Sequence, residues 1–305
     1  MLVLVTWLQV AAPIDTSRAV ASVCPLRETG AMSCISSARS IVLAPAAWAT
    51  DMSTRVNDAG EQFRRHFGRI PGRGYLFGGA AMDSAGWNDA RRAGHDAWRL
   101  PWPVEQVASR SSGTADQRRA FALSGMAHEL SHLWFGAAFW PEPATPGMVR
   151  YGSGAPDWLD EVSAALLEDS LTTRSPAPRL RTGTIPFQRF LSMDHPALAQ
   201  SAFLAQARAR AAELRTQGAS ATAMQLTPPP GLGDTLALFY GQVRGLATWL
   251  ATRAKGSAVF GELAQAMHAG ATLDEWLRRR GAAVGWPPSV MELEADFVAW
   301  VRTAN

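Results

Sequence analysis

The sequence predicts an α+β fold, a mixed sheet lobe followed by a mainly helical lobe, and three observations predict it. Two short runs, "RSIVLAPAAW" (Arg39 to Trp48) and "GYLFGGAAM" (Gly74 to Met82), are rich in β-branched and aromatic residues and read as strands. Between them, residues 53–67 carry apolar positions at helical spacing. From the Ser/Gly-rich loop "SRSSGTAD" onward the pattern stays helical, broken by Pro- and Gly-rich loops near residues 141–157, 171–188 and 225–234. A chain of 305 residues, 47% of them hydrophobic, can bury a sizeable core as one large domain or as two lobes around a cleft. The expected organisation is an N-terminal segment over residues 1–37, a mixed α/β sheet lobe over 38–110 and a helical lobe over 111–305.

The first element is the apolar "MLVLVTWL", which runs on to its first basic residue at Arg18. A signal peptide carries positive charge ahead of its apolar region, and eight residues are too few to span a bilayer. It reads as a strand-like or trimmed N-terminus. Cys24 and Cys34 follow, nine residues between them. Either they close a small loop as a disulfide, which implies an oxidising compartment and favours a periplasmic or secreted protein, or they are two reduced thiols.

Beyond the two strands, "HDAWRLPWP" reads as a third strand that ends at its prolines. His66 and His95, on either side of the second strand, read as surface or core residues, and Tyr75 as a strand residue. The formal net charge is +3, with Lys255 the single lysine among 29 basic residues. No run of arginine interleaved with aromatics appears, so no nucleic-acid partner is expected.

The helical part opens with "GMAHELSHLWFG", Gly125 to Gly136. Residues 116–135 contain no proline, follow a cap at Thr114 or Asp116 and carry apolar residues at helical spacing. On such a helix His128 and His132 lie one turn apart on one face, so both imidazoles can reach one ion. Glu129 sits one position round, near that ion but free to take a proton from the attacking water. The bland alternative is a helix whose histidines are simply hydrogen-bonded in the core. A catalytic zinc also needs a third protein ligand and an open position. "APDWLDEVSAALLED" reads as a second helix with Pro156 in its first turn and Glu161 facing inward beside Ala164 and Ala165.

"AHELSHLWFG" followed by "DWLDEVSAALLED" resembles the gluzincin metallopeptidases, particularly their aminopeptidase branch. In that branch an HExxH helix precedes a helix opening with Trp-Leu-x-Glu. The resemblance implies a thermolysin-like plan and a zinc ion, with His128, His132 and Glu161 as ligands and Glu129 as the base. It extends to "FYGQVRGLATWL", where a tyrosine in these families reaches over the metal and Tyr240 looks like the matching residue. A phenol there donates a hydrogen bond to the oxyanion. Core packing is the other reading of Tyr240.

Two features depart from the family. His132 and Glu161 are separated by 28 residues, about ten more than the pattern, so a loop around "EPATPGMVRYGSGAP" is inserted near the cleft. The aminopeptidases hold the substrate amine with a Gly-Ala-Met-Glu-Asn strand, whereas this chain has "GGAAMDSAG". Asp83 either binds an amine or simply ends a strand in a turn.

Several carboxylates compete for the third-ligand role. Glu142 lies in the proline-rich loop, and Asp157 at the helix start favours the N-terminus. Asp160 points about 100° away from Glu161, and Glu168 lies two turns on, roughly 10 Å away, so neither is expected to share the ion. His195, in "MDHPA", reads as a helix cap, His268 as part of an amphipathic helix, and Tyr151 as a loop aromatic. The function expected is zinc-dependent hydrolysis of a peptide or protein substrate. The alternatives are a catalytically idle peptidase-like binding or scaffold domain and a metallohydrolase with a non-peptide substrate.

Overall fold

The computed structural model of the chain describes residues 24, 31–81, 83–141, 153–168, 180, 183–200 and 231–303, with four positions between 202 and 209. The apolar N-terminal stretch, Glu142 and Tyr151 lie outside the described residues. Strands β1 (Met32–Ser36), β2 (Ser40–Pro45), β3 (Gly74–Phe77) and β4 (Trp98–Pro101) form one mixed sheet in the order β1-β2-β3-β4. β1 and β2 are an antiparallel hairpin with Cys34 opposite Leu43. β2, β3 and β4 run parallel, with Ser40 opposite Gly74 and Gly74 opposite Trp98. The crossovers between the parallel strands are helix α1 (Ala46–Phe67) and helix α2 (Ser84–Arg92).

Strand β2 is apolar from Ile41 onward because both faces of the sheet are covered. Val42, Ala44 and Leu76 point into the main core with Met52, Val56 and Phe63 of α1. Ile41, Leu43 and Tyr75 point the other way, onto Ala90 and Trp87 of α2. Gly74 permits the crossing of Trp98, since a Cβ on Gly74 would lie 2.0 Å from the indole. Cys24 and Cys34 are joined as a disulfide that ties residue 24 to β1, their Cα atoms 6.0 Å apart.

Three expected boundaries shift. Pro45 closes β2 and Ala46 opens α1, so Trp48 is helical; proline cannot continue a ladder, and alanine favours the helix. β3 stops at Phe77, ahead of the two glycines that follow. β1 and α2 were not expected, because "MSCIS" and "SAGWNDARR" are short, five and nine residues, and a pattern over so few positions does not stand out. Asp83 caps α2: its side chain accepts from Gly86 N–H at 2.9 Å and from the Tyr75 hydroxyl at 2.9 Å. Of the two readings of Asp83, the structure therefore supplies the turn.

After the short helix α3 (Val104–Ser109) comes α4 (Ala115–Phe139), which carries the HExxH string. Its N-cap is Thr114, in a reciprocal box with Gln117. Trp134 anchors α4 to the sheet lobe, its ring 5.8 Å from both Phe63 and Trp98, while Phe135 meets Phe67 at 5.4 Å. Helix α5 (Asp157–Ala165) packs on α4, and the one-turn helix α6 (Phe187–Phe190) leads to His195. Helix α7 (Leu232–Arg253) lies across α5. The chain ends in α8 (Val259–His268), α9 (Leu273–Trp276), a widened turn over Leu277–Gly281, α10 (Ala282–Val284) and α11 (Val290–Thr303). Among the described residues, no helix is long and apolar enough to cross a membrane.

Candidate metal centre

Helices α4 and α5 run antiparallel, and polar contacts along their seam set the register. Near one end His132 Nδ1 donates to Asp160 Oδ1 at 2.9 Å. At the centre the Ser131 hydroxyl donates to the Ser163 carbonyl at 2.8 Å. At the other end His128 Nδ1 donates to Glu168 Oε1 at 2.8 Å. Small residues on both helices let them approach closely, and Asp160, Glu161 and His132 are buried.

This register turns the inner edges of both imidazoles toward one point. With each Nδ1–H given to a carboxylate, a neutral His128 and a neutral His132 each present Nε2 as a lone pair. The two Nε2 atoms lie 3.2 Å apart. Glu161 adds Oε2 at 3.6 Å from His128 Nε2 and Oε1 at 3.7 Å from His132 Nε2. One donor atom from each of the three residues lies within 4.8 Å of the others.

Glu161 Oε2 is buried and has no hydrogen-bond partner. A buried carboxylate oxygen without a hydrogen-bond partner, beside an imidazole nitrogen that presents a lone pair, is costly unless a cation meets it. The donor set therefore fits a metal ion, and His128, His132 and Glu161 could hold one. Without the ion a proton takes part of that role. Burial opposes a charge on His132, but the hydrogen bond and charge of Asp160, then the charges of Glu161 and Glu129, outweigh it and push the imidazole up to about 9.

Glu129 lies next to His128 on α4, half-buried and outside the three-residue cluster, and its charge reaches His132. Tyr240 sits in the third turn of α7. Its ring packs 5.6 Å from that of His195, edge to face, with the Arg244 guanidinium 5.9 Å away on the same helix. Tyr240 is thus brought to the neighbours of Glu161, half-buried.

Four further residues support the cluster. Asp160 bridges His132 to the chain, its Oδ2 accepting from Ser153 N–H at 2.9 Å. Glu168 accepts from both Nε and Nη2 of Arg244, at 2.7 and 2.9 Å. Burial pushes its carboxyl up, yet the hydrogen bonds and charges of His128 and Arg244 prevail and hold it near 2. The expectation that Asp160 and Glu168 lie off the ion is compatible with this, since both act on the outer edges of the histidines.

His195 is the fourth, and the reading of a helix cap covers only one of its two ring nitrogens. Its Nδ1 does cap, accepting from Ala197 N–H at 3.1 Å, while its Nε2 lies 2.9 Å from Glu161 Oε1. The reason is long-range. Gln242 clamps Ile185 through both backbone groups, at 2.8 and 2.9 Å, and Phe190 packs on Phe239, so the segment before His195 is fixed against α7.

A sequence signal existed for two of the four: Asp160 on α5 and Glu168 just past its end are acidic residues among large apolar ones, where they need a partner. None existed for Arg244 or His195. The other histidines take no part. His66 packs on Phe260, burial and then Arg65 lowering it to about 4, and His268 packs edge-on against Trp140. Compared with protein-family models, curated proteins and solved structures, the chain matches none.

Proposed function

We propose that this chain is a zinc-dependent peptidase of the gluzincin type, on a thermolysin-like plan. The observation that supports it is the convergence of His128, His132 and Glu161, backed by a carboxylate on each histidine, with Glu129 one position round the same helix. Two imidazoles and one carboxylate make a donor set suited to catalytic zinc. Bound there, zinc supplies Lewis-acid polarisation of a carbonyl and a lowered pKa for water.

The chain's own residues do the rest. Glu129 takes the proton of the attacking water and delivers it to the leaving amine. Tyr240 donates a hydrogen bond to the oxyanion. The outer backbone groups of β4, the sheet edge against α4, hold an extended peptide. The disulfide supports an oxidising compartment, periplasmic or secreted.

Metal analysis and a peptide-library digest test the reading together. After chelation and reloading, about one zinc per chain is expected, with cleavage of the library by the loaded form alone. The Glu129→Gln chain should keep its zinc and cleave nothing, because an amide accepts no proton from water. Substoichiometric zinc after loading overturns the metal centre. Full zinc with an intact library overturns the peptidase and leaves an idle binding domain or a hydrolase of another substrate.

A further inference from the structure

We propose that His195 is a positioning residue of the metal centre: by holding Oε1 of Glu161, it leaves Oε2 as that residue's single ligand atom. The inference rests on the metal-centre reading above and concerns how the third ligand binds. A carboxylate can meet an ion through one oxygen or through both. Binding through both oxygens uses up a position that water or substrate needs.

Three contacts fix the imidazole. Its backbone N–H donates to Asp157 Oδ2 at 2.7 Å, and its Nδ1 accepts from Ala197 N–H. A ring whose Nδ1 accepts is neutral and carries its proton on Nε2, the atom 2.9 Å from Glu161 Oε1. Phe239 at 5.0 Å and Tyr240 at 5.6 Å pack edge to face against the ring, and the side chain is fully buried. Glu161 therefore has Oε1 committed to the His195 donor, though it also lies 3.7 Å from His132 Nε2, while Oε2, 3.6 Å from His128 Nε2, has no hydrogen-bond partner. The same ring touches Tyr240, so ligand geometry and the phenol share one support.

The two atoms of the ring can be tested separately, because an asparagine amide reaches about as far as Nδ1 and a glutamine amide about as far as Nε2. His195→Asn keeps the cap and loses the donor to Glu161. His195→Gln loses the cap and keeps the donor. Each full-length chain is stripped, titrated with zinc against a competing chelator, and separately loaded with cobalt(II), whose visible absorption weakens as coordination number rises. Melting in chelator checks that both variants fold. The expected result is zinc affinity lowered 10–100-fold in His195→Asn, with a weakened cobalt spectrum, and both close to the parent in His195→Gln. Parent-like binding by His195→Asn, or equal loss in both variants, overturns the proposal and returns His195 to capping or packing. If the unsubstituted chain itself takes up no metal, the metal-centre reading falls first.

Discussion

Tyr240 shows how little a single side chain decides alone. A phenol in the third turn of a helix is as ready to fill a core as to reach a substrate. Its ring packs on the core and also meets His195, which holds a candidate ligand, and Arg244, which holds the carboxylate behind His128. A hydroxyl that serves the oxyanion contributes when charge develops, so Tyr240→Phe is predicted to lower kcat by roughly two to three orders of magnitude with a smaller change in KM. Steady-state kinetics on a cleaved library peptide measure this, and an unchanged kcat assigns Tyr240 to packing. Phe preserves the ring contact with His195, so zinc affinity should hold.

Helix α5 carries one member of the candidate metal cluster and braces another. Because it runs antiparallel to α4, its Asp160 meets His132, its Glu161 faces the converging nitrogens, and Glu168, just past its last turn, meets His128. The roles imply a hierarchy of losses. Glu161→Ala removes a donor atom and should weaken zinc binding by orders of magnitude. Asp160→Ala and Glu168→Ala release the rings without removing a donor, and each should cost about 10–100-fold in affinity. Zinc titration against a chelator ranks the three, and parent-like binding by Glu161→Ala would mean that another residue completes the site. Glu161 was legible from the pattern because an inward carboxylate beside alanines stands out on one helix. The braces were half-legible: their burial could be suspected, but their partners could not.

The charged groups of the centre tie the stability of the whole molecule to pH. In the metal-free chain His132 is raised from 6.5 to about 9, so its contribution is fully present below pH 6.5 and is lost as pH rises through 9. Glu168 is lowered from 4.5 to about 2, so its contribution is present above pH 4.5 and is lost as pH falls toward 2. His66 is lowered from 6.5 to about 4, so its contribution is present above pH 6.5 and is lost as pH falls toward 4. Melting in chelator is therefore predicted to peak near pH 6.5 and to decline on both sides. Zinc competes with the His132 proton, so the gap between loaded and stripped melting temperatures should widen as pH rises toward 9. A gap independent of pH across that window would remove His132 from the centre.

What the sequence determined by itself was local. The i, i+4 spacing of His128 and His132 places two imidazoles on one helical face whatever surrounds them, and Thr114 and Gln117 start that helix by contacts three residues apart. Strands β2 and β3 were legible as strands for the same reason, since burial on both faces leaves short apolar runs, but their parallel pairing was not. Only the tertiary structure decided which residues stand behind those histidines. Glu161 and His195 are 34 residues apart, and Glu168 and Arg244 are 76 apart. No periodicity spans such distances. These pairs exist because α5 lies antiparallel on α4 while the Gln242 clamp holds the His195 segment on α7, and packing at that range is set by the shapes of whole faces rather than by any short string of residues.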